Sequence, residues 1–344
     1  MLEFIRSVCE WRHFVAYVHC SPRDFYLNAM TQFANHRGYA SMFRQDHLTL
    51  GLFFPIEAYA GAVPEMDVAT QLATARLAED KDFAALYFRD VPLNVPSFGD
   101  VGHIYDPWVF MGLVLGQTSR IALATGSIVS TLRHPLHLAK AAASIDRLSG
   151  QRLVLGLATG DRPSEFSAFN VPAEEKGERF REALAALRTL WAEDYPTIAT
   201  PRLNMREGDL LPKPLLRDIP VMVTGNSRQS LQWIAEHADG WLFYPQNLTQ
   251  QAGTVRQWRA ATTCFKPFAQ SLYIDLAEDA NEGPSPIFLG LRTGHRFLVE
   301  YLEQLRHIGV NHVGLNLKYG KRPATEVVQE LGEFVTPHFP ALKV

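Results

Sequence analysis

Three short stretches carry residues suited to holding a flat or anionic molecule: Gly126-Ser127, Thr159-Gly160-Asp161-Arg162 and Gly225-Asn226-Ser227. Each follows a short aliphatic or β-branched run, so each stands where a strand gives way to a turn. Glycine there admits backbone angles closed to other residues and lets a ligand approach the main chain. In VMVTGNSRQSLQWIAEHADGW, residues 221–241, Leu231, Ile234, Ala235 and Ala238 recur at helical spacing after the strand-like Ile219 to Val223. Ser227 is placed to cap that helix, and unpaired amides at a helix start attract an anion, most often a phosphate. A plain capped helix accounts for the same residues. A fourth strand end carries Arg89 and Asp90, a pair able to bind a polar substrate or cofactor edge, or to tie down its own loop as a salt bridge.

Other chemistries fit poorly. His134 and His137 stand three apart at a helix start, but the twelve histidines form no cluster at successive strand ends, so both read as structural or surface residues and no metal site is expected. Cys9, Cys20 and Cys264 have no paired spacing, which argues against a disulfide framework or zinc. No Gly-x-Ser-x-Gly occurs, which leaves nucleophilic catalysis without a motif.

The elements that position these turns alternate. Strand-like runs lie at 49–54, 84–88, 121–129, 152–158, 219–224, 240–243, 270–276 and 312–317. Helical patterns fall between them: Val68 to Leu77, Leu138 to Leu148 closed by Gly150, Phe180 to Trp191, and Phe297 to Leu305 ended by Gly309. Strands alternating with helices imply parallel strands joined by crossovers, and eight of them suffice for a closed (β/α)8 barrel in the α/β class. An open doubly wound sheet is the rival, disfavoured because the first βα turn, PIEAYAG, lacks a Gly-x-Gly-x-x-Gly fingerprint. Barrel chemistry belongs at the carboxyl ends of the strands, where the turns above fall.

Residues 1–45 stand outside this alternation and read as an accessory segment ahead of a barrel domain at 46–344; removal of residues 1–40 is expected to leave the barrel folded. Proline-rich loops at 192–218 and 277–295 are expected as insertions at the barrel mouth. A net charge of -3 gives no reason to expect nucleic acid or an acidic membrane, and no apolar run is long enough to span a bilayer. A small-molecule partner and a cytoplasmic location are the expectations.

RHPLHLAKAAASIDRLSGQRLVLGLATGDRPSEF (133–166), then PKP at 212–214, IPVMVTGNSRQS and IAEHADGW, resembles the bacterial luciferase-like flavin-dependent monooxygenases, in matching order from about Leu48 to Pro340. The resemblance implies a (β/α)8 barrel with FMN at the carboxyl face. It implies that Gly225, Asn226 and Ser227 lie by the flavin phosphate, that Thr159 and Gly160 form a flavin-contacting turn with Asp161 and Arg162 adjacent, and that Gly126 and Ser127 run beneath the isoalloxazine. Many members have a cis non-proline peptide at that last turn. Where they carry an acid followed by histidine, this chain has Asp90-Val91, so Arg89, Asp90 or a histidine such as His103 would have to handle protons. The implied activity is oxygenation of a small organic substrate with reduced FMN and oxygen, with a separate flavin reductase and homodimerisation as further expectations. Deazaflavin-dependent hydride transfer and flavin binding without turnover are the alternatives.

Overall fold

The structure is a computed structural model that describes residues 32–57, 67–95 and 104–344. Eight parallel strands close into a barrel: β1 (Thr49–Phe53), β2 (Ala85–Phe88), β3 (Ala122–Thr125), β4 (Leu153–Ala158), β5 (Val221–Thr224), β6 (Gly240–Phe243), β7 (Phe268–Leu276) and β8 (His312–Asn316). Closure comes from the pairing of β8 with β1, in register from Thr49↔His312 to Leu52↔Leu315. These are the eight runs expected from the sequence. The run at 121–129 is divided, because the chain leaves β3 at Thr125 and Ile128–Val129 pairs separately with Leu157 and Ala158 of β4.

Alternate strand residues face opposite ways. Leu50, Leu52, Leu86, Leu123, Leu155 and Val223 point outward into the layer beneath the helices, while Phe53, Tyr87, Ala124, Val154, Met222 and Ala269 fill the barrel interior. Large rings from β1 and β2 require small partners opposite: a Cβ on Gly314 would come 2.6 Å from Phe53. Helix α4 (Pro135–Ser149) buries Leu138, Ala142 and Ile145 and stops at Gly150, whose φ of 66° is the left-handed conformation a C-terminal glycine supplies.

The chain ahead of β1 is part of this core. Helix α1 (Arg37–Met42) sends Tyr39 and Met42, with Phe33 and Phe43, into the interior cluster at the amino ends of the strands. Gly38 is needed for that approach, since a Cβ there would stand 2.5 Å from the Arg152 carbonyl oxygen. His36 caps α1 by accepting from the Tyr39 amide on Nδ1, which puts its proton on Nε2, donated to Asp146 at 3.0 Å with both side chains fully buried. Residues 33–40, which the sequence reading set among the dispensable ones, thus contribute Phe33, His36 and Tyr39 to the buried core, while residues 1–31 lie outside the described residues.

Of the two proline-rich loops, only the one after β7 stands at the mouth, where Ser285–Ile287 and Gly290–Thr293 form a hairpin that continues the wall beside β7. The other runs from α6 (Lys176–Ala192) to β5 and therefore lies at the amino-terminal face. It is fastened by buried Lys213, which donates to the Leu190 carbonyl at 2.9 Å and to Asp209 at 2.6 Å.

Candidate active site at the carboxyl ends of the strands

The turn after β3 contains a cis peptide bond between Gly126 and Ser127. Its backbone lies flat on the interior rings: a Cβ on Gly126 would meet Phe53 at 2.6 Å and Tyr87 at 3.0 Å. The Gly126 amide donates to the Phe88 carbonyl at 2.9 Å, and the Ser127 hydroxyl is hydrogen-bonded to that of Thr224 at the end of β5. Thr224 thus joins the turn from two strands away, a contact no local sequence signal announces. Beneath the turn, burial pushes the Tyr87 hydroxyl well above its ordinary range, which keeps it a neutral phenol.

After β4, Thr159 is buried and its carbonyl accepts from the Thr131 hydroxyl at 2.7 Å. Gly160 has φ of 80°, and a Cβ there would stand 2.7 Å from Val129, so the turn packs directly on the segment leaving β3. Asp161 is exposed, while the Arg162 side chain is mostly buried and lies 3.8 Å from Asp161 and 3.9 Å from Glu165. Glu165, on α5 (Pro163–Ala168), is fully buried and neither of its carboxylate oxygens closes a hydrogen bond among the described residues. Burial pushes its carboxyl above the usual range; Arg162 and the neighbouring Leu93 amide work against the shift, and Asp90 and Asp161 add to it.

After β5, Gly225, Ser227 and Arg228 have φ of 55°, 41° and 58°. The Gly225 amide donates to the Leu242 carbonyl, its own carbonyl accepts from the Trp241 indole at 2.7 Å, and the Ser227 hydroxyl donates to the Thr224 carbonyl at 2.8 Å. Among the described residues no backbone carbonyl accepts from the amides of Asn226, Ser227 or Arg228. Successive left-handed residues turn such amides toward one side, the arrangement that receives an anion. Ser227 is not the helix cap expected from the sequence. Helix α7 (Leu231–His237) is capped by Ser230, whose hydroxyl oxygen accepts from the Trp233 amide at 3.2 Å. The cap and the turn are separate devices on serines three apart.

Arg89 and Asp90, the other site candidates, have separate surroundings. Asp90 is buried and is held by Arg133, from Nε at 2.9 Å and Nη2 at 2.7 Å, and by the Val129 amide at 3.0 Å. Burial works against the Arg133 charge, but Asp90 and Asp106 more than offset it and raise its pKa. Asp90 therefore ties the end of β2 to the segment after β3. Arg89 lines a cleft with Phe54, Phe88 and Tyr105, and its charge also reaches Tyr319 beyond β8. His103 lies outside the described residues.

Sequence reasoning missed the opposite side of the mouth, where Tyr273 of β7, Phe288 of the hairpin and Tyr319 gather, with Tyr244 after β6 nearby. The alternation of β7 signals that Tyr273 faces inward, but nothing local signals its partners. Among the described residues no group of three or more metal-ligating side chains occurs, and no helix is long and apolar enough to cross a membrane.

Comparison with known proteins agrees with this geometry. The family model of the luciferase-like monooxygenases matches residues 48–269. An uncharacterised protein of Mycobacterium tuberculosis is 31% identical over 194 residues, covering 52% of this chain and 69% of the relative. The F420-dependent hydroxymycolic acid dehydrogenase of the same organism is 30% identical over 174 residues, covering 50% of this chain and 48% of that protein. Among solved structures, the monooxygenase RslO1 of Streptomyces bottropensis shares the fold with a TM-score of 0.71 and 20% identity, over 85% of this chain and 99% of that one. With the barrel closed and three consecutive strand ends lined by small residues, the chain belongs to the luciferase-like monooxygenase family of oxidoreductases.

Proposed function

We propose that this protein is a two-electron oxidoreductase that holds a phosphate-bearing tricyclic cofactor, the deazaflavin F420, against the ends of β3, β4 and β5 and acts on a small organic substrate. The observation that carries the reading is the turn at 225–228, whose three amides are not taken by backbone carbonyls, beside the flat Gly126-Ser127 turn. The residue types suit such a group: a planar ring needs small residues beneath it, and a phosphate needs amides and cations. Burial and then the neighbouring Arg228 charge lower the Lys176 pKa, which puts two cations near the phosphate turn, and Lys176 lies over the Phe166 ring at 5.2 Å.

The choice of F420 rests on relatives near 30% identity whose names carry that cofactor, the hydroxymycolic acid dehydrogenase above and the glucose-6-phosphate dehydrogenase of Kineococcus radiotolerans, at 29%. A bound deazaflavin supplies hydride transfer without oxygen; the protein supplies binding, orientation and exclusion of water. Here Phe53 and Tyr87 would seal the floor, Ser127 and Thr224 would present hydroxyls at the ring edge, and the amides at 226–228 would hold the phosphate. The second reading, oxygenation of an organic substrate with reduced FMN and oxygen, is favoured by the description of the matching family.

Anaerobic fluorescence titration of the purified protein with F420 and with FMN separates the two. At least tenfold tighter binding of F420, with no oxygen uptake when reduced FMN is supplied, is the expected result. Tighter FMN binding with oxygen uptake would move the assignment to the monooxygenase, and FMN binding with neither reaction to a flavin carrier.

A further inference from the structure

The wall of the mouth opposite the cofactor turns is aromatic and is held in place. Tyr273 and Tyr319 have ring centroids 4.9 Å apart, Phe288 stands 6.3 Å from Tyr273 and 6.1 Å from Tyr319, and the last pair is edge-to-face at 87°. Phe288 is nevertheless 66% exposed. A phenylalanine at a loop tip normally turns away from water when the loop can adjust, and this loop cannot. The Tyr273 amide donates to the Leu289 carbonyl at 3.1 Å, and a Cβ on Gly290 would stand 1.9 Å from the Tyr273 carbonyl oxygen, so only glycine lets the hairpin approach. Arg292, on the returning strand of the hairpin, is gripped by Asp275 at 2.8 Å and Glu282 at 2.7 Å.

Cationic charge lies along the edge of the same wall. The Lys318 ammonium is 5.2 Å from the centre of the Tyr319 ring, and the Arg89 charge acts on the Tyr319 hydroxyl from the end of β2. Rings offered edge and face favour a planar aromatic partner over a saturated one of equal size, because the quadrupoles add to the apolar contact.

We propose that Tyr273, Phe288 and Tyr319 form the substrate subsite of this mouth and that it takes a planar aromatic ring. The inference rests on the oxidoreductase reading for what is done to the ring, but the binding of the ring stands or falls separately.

The test uses the full chain without added cofactor and two probes of the same carbon skeleton and charge, 2-naphthoate and decahydro-2-naphthoate, followed by calorimetric titration. Naphthoate is expected to bind at least tenfold more tightly than its saturated counterpart, and Phe288→Ala to weaken it about tenfold while F420 affinity and melting temperature stay unchanged. Tyr319→Phe, which keeps the ring, is expected to retain naphthoate binding, and Tyr319→Leu to lose it. Equal affinity for the two acids, or undiminished naphthoate binding in Phe288→Ala, would overturn the subsite. Cofactor binding without naphthoate preference removes this inference alone; naphthoate preference without binding of F420 or FMN supports it and removes the cofactor assignment.

Discussion

Arg133 grips Asp90 through two nitrogens at 2.9 and 2.7 Å across forty-three positions of sequence, and the Val129 amide closes on the same carboxylate. The segment so fixed leads directly from Ser127. Asp90→Asn keeps the volume but removes the charge, and hydrogen bonds to a charged group contribute roughly 1.5–3 kcal/mol. A loss of stability of about that size is expected, accompanied by weaker cofactor binding because the Gly126-Ser127 turn is no longer anchored. Urea unfolding and F420 titration of the same variant check it; full stability with full affinity would show that the pair is dispensable.

Ser227 and Ser230 divide the work that the sequence assigned to one residue. Ser230→Ala removes a helix cap and is expected to cost about 1 kcal/mol of stability with cofactor affinity unchanged. Ser227→Ala removes the hydroxyl that locks the turn to the Thr224 carbonyl, so affinity is expected to fall at least severalfold with little change in melting temperature. Paired melting and titration curves distinguish them, and reversed effects would return the capping role to Ser227.

Glu165 gives the protein a pH dependence whose direction is fixed. Its carboxyl is pushed upward chiefly by burial, so ionising it is harder in the folded chain than in the unfolded one. The stability it contributes is fully present below the unfolded carboxyl range and is lost as pH rises through the raised folded value. Glu165→Gln cannot ionise and is therefore expected to be more stable than the parent at about pH 8, the advantage vanishing near about pH 4.5. Unfolding measured across that window decides; an advantage that does not change with pH would mean the carboxylate is not penalised.

His36→Ala leaves the buried Asp146 carboxylate without its imidazole partner and strips α1 of its cap. Asp146 then keeps only the Leu215 amide at 3.4 Å, and a buried acceptor left short of a partner costs about 1–3 kcal/mol, so with the lost cap destabilisation of at least about 2 kcal/mol is expected. Thermal melting checks this, and a melting temperature equal to the parent's would show that α1 is not needed to close the barrel.

The strands were legible because each is a short apolar run of the period and length a buried parallel strand requires. Gly150 was legible because a glycine after a helical pattern has few other uses. Helix α3 (Pro107–Leu115) escaped notice because PWVFMGLVL is apolar on every side and shows no face. Helix α8 (Leu248–Ala261) escaped for the opposite reason, since it buries only Gln251, Val255 and Trp258. The turns of the candidate site were found through their glycines and small residues, which local geometry demands. The partners of Asp90, Ser127 and Asp146 were not found, because a side chain such as Arg133 is equally at home on any helix-adjacent turn until the barrel brings it across.

Helix α1, with Phe33, Tyr39, Met42 and Phe43 packed among the amino ends of the strands, makes the barrel a vessel with a stopper. His312 inside it is fully buried, and burial holds its pKa down at about 3, so even an acidic medium leaves that floor uncharged. With the amino end sealed by these rings, traffic passes through the other opening. Because side chains fill the interior from that stopper upward, nothing crosses the barrel from end to end, and whatever it receives is met on one face only.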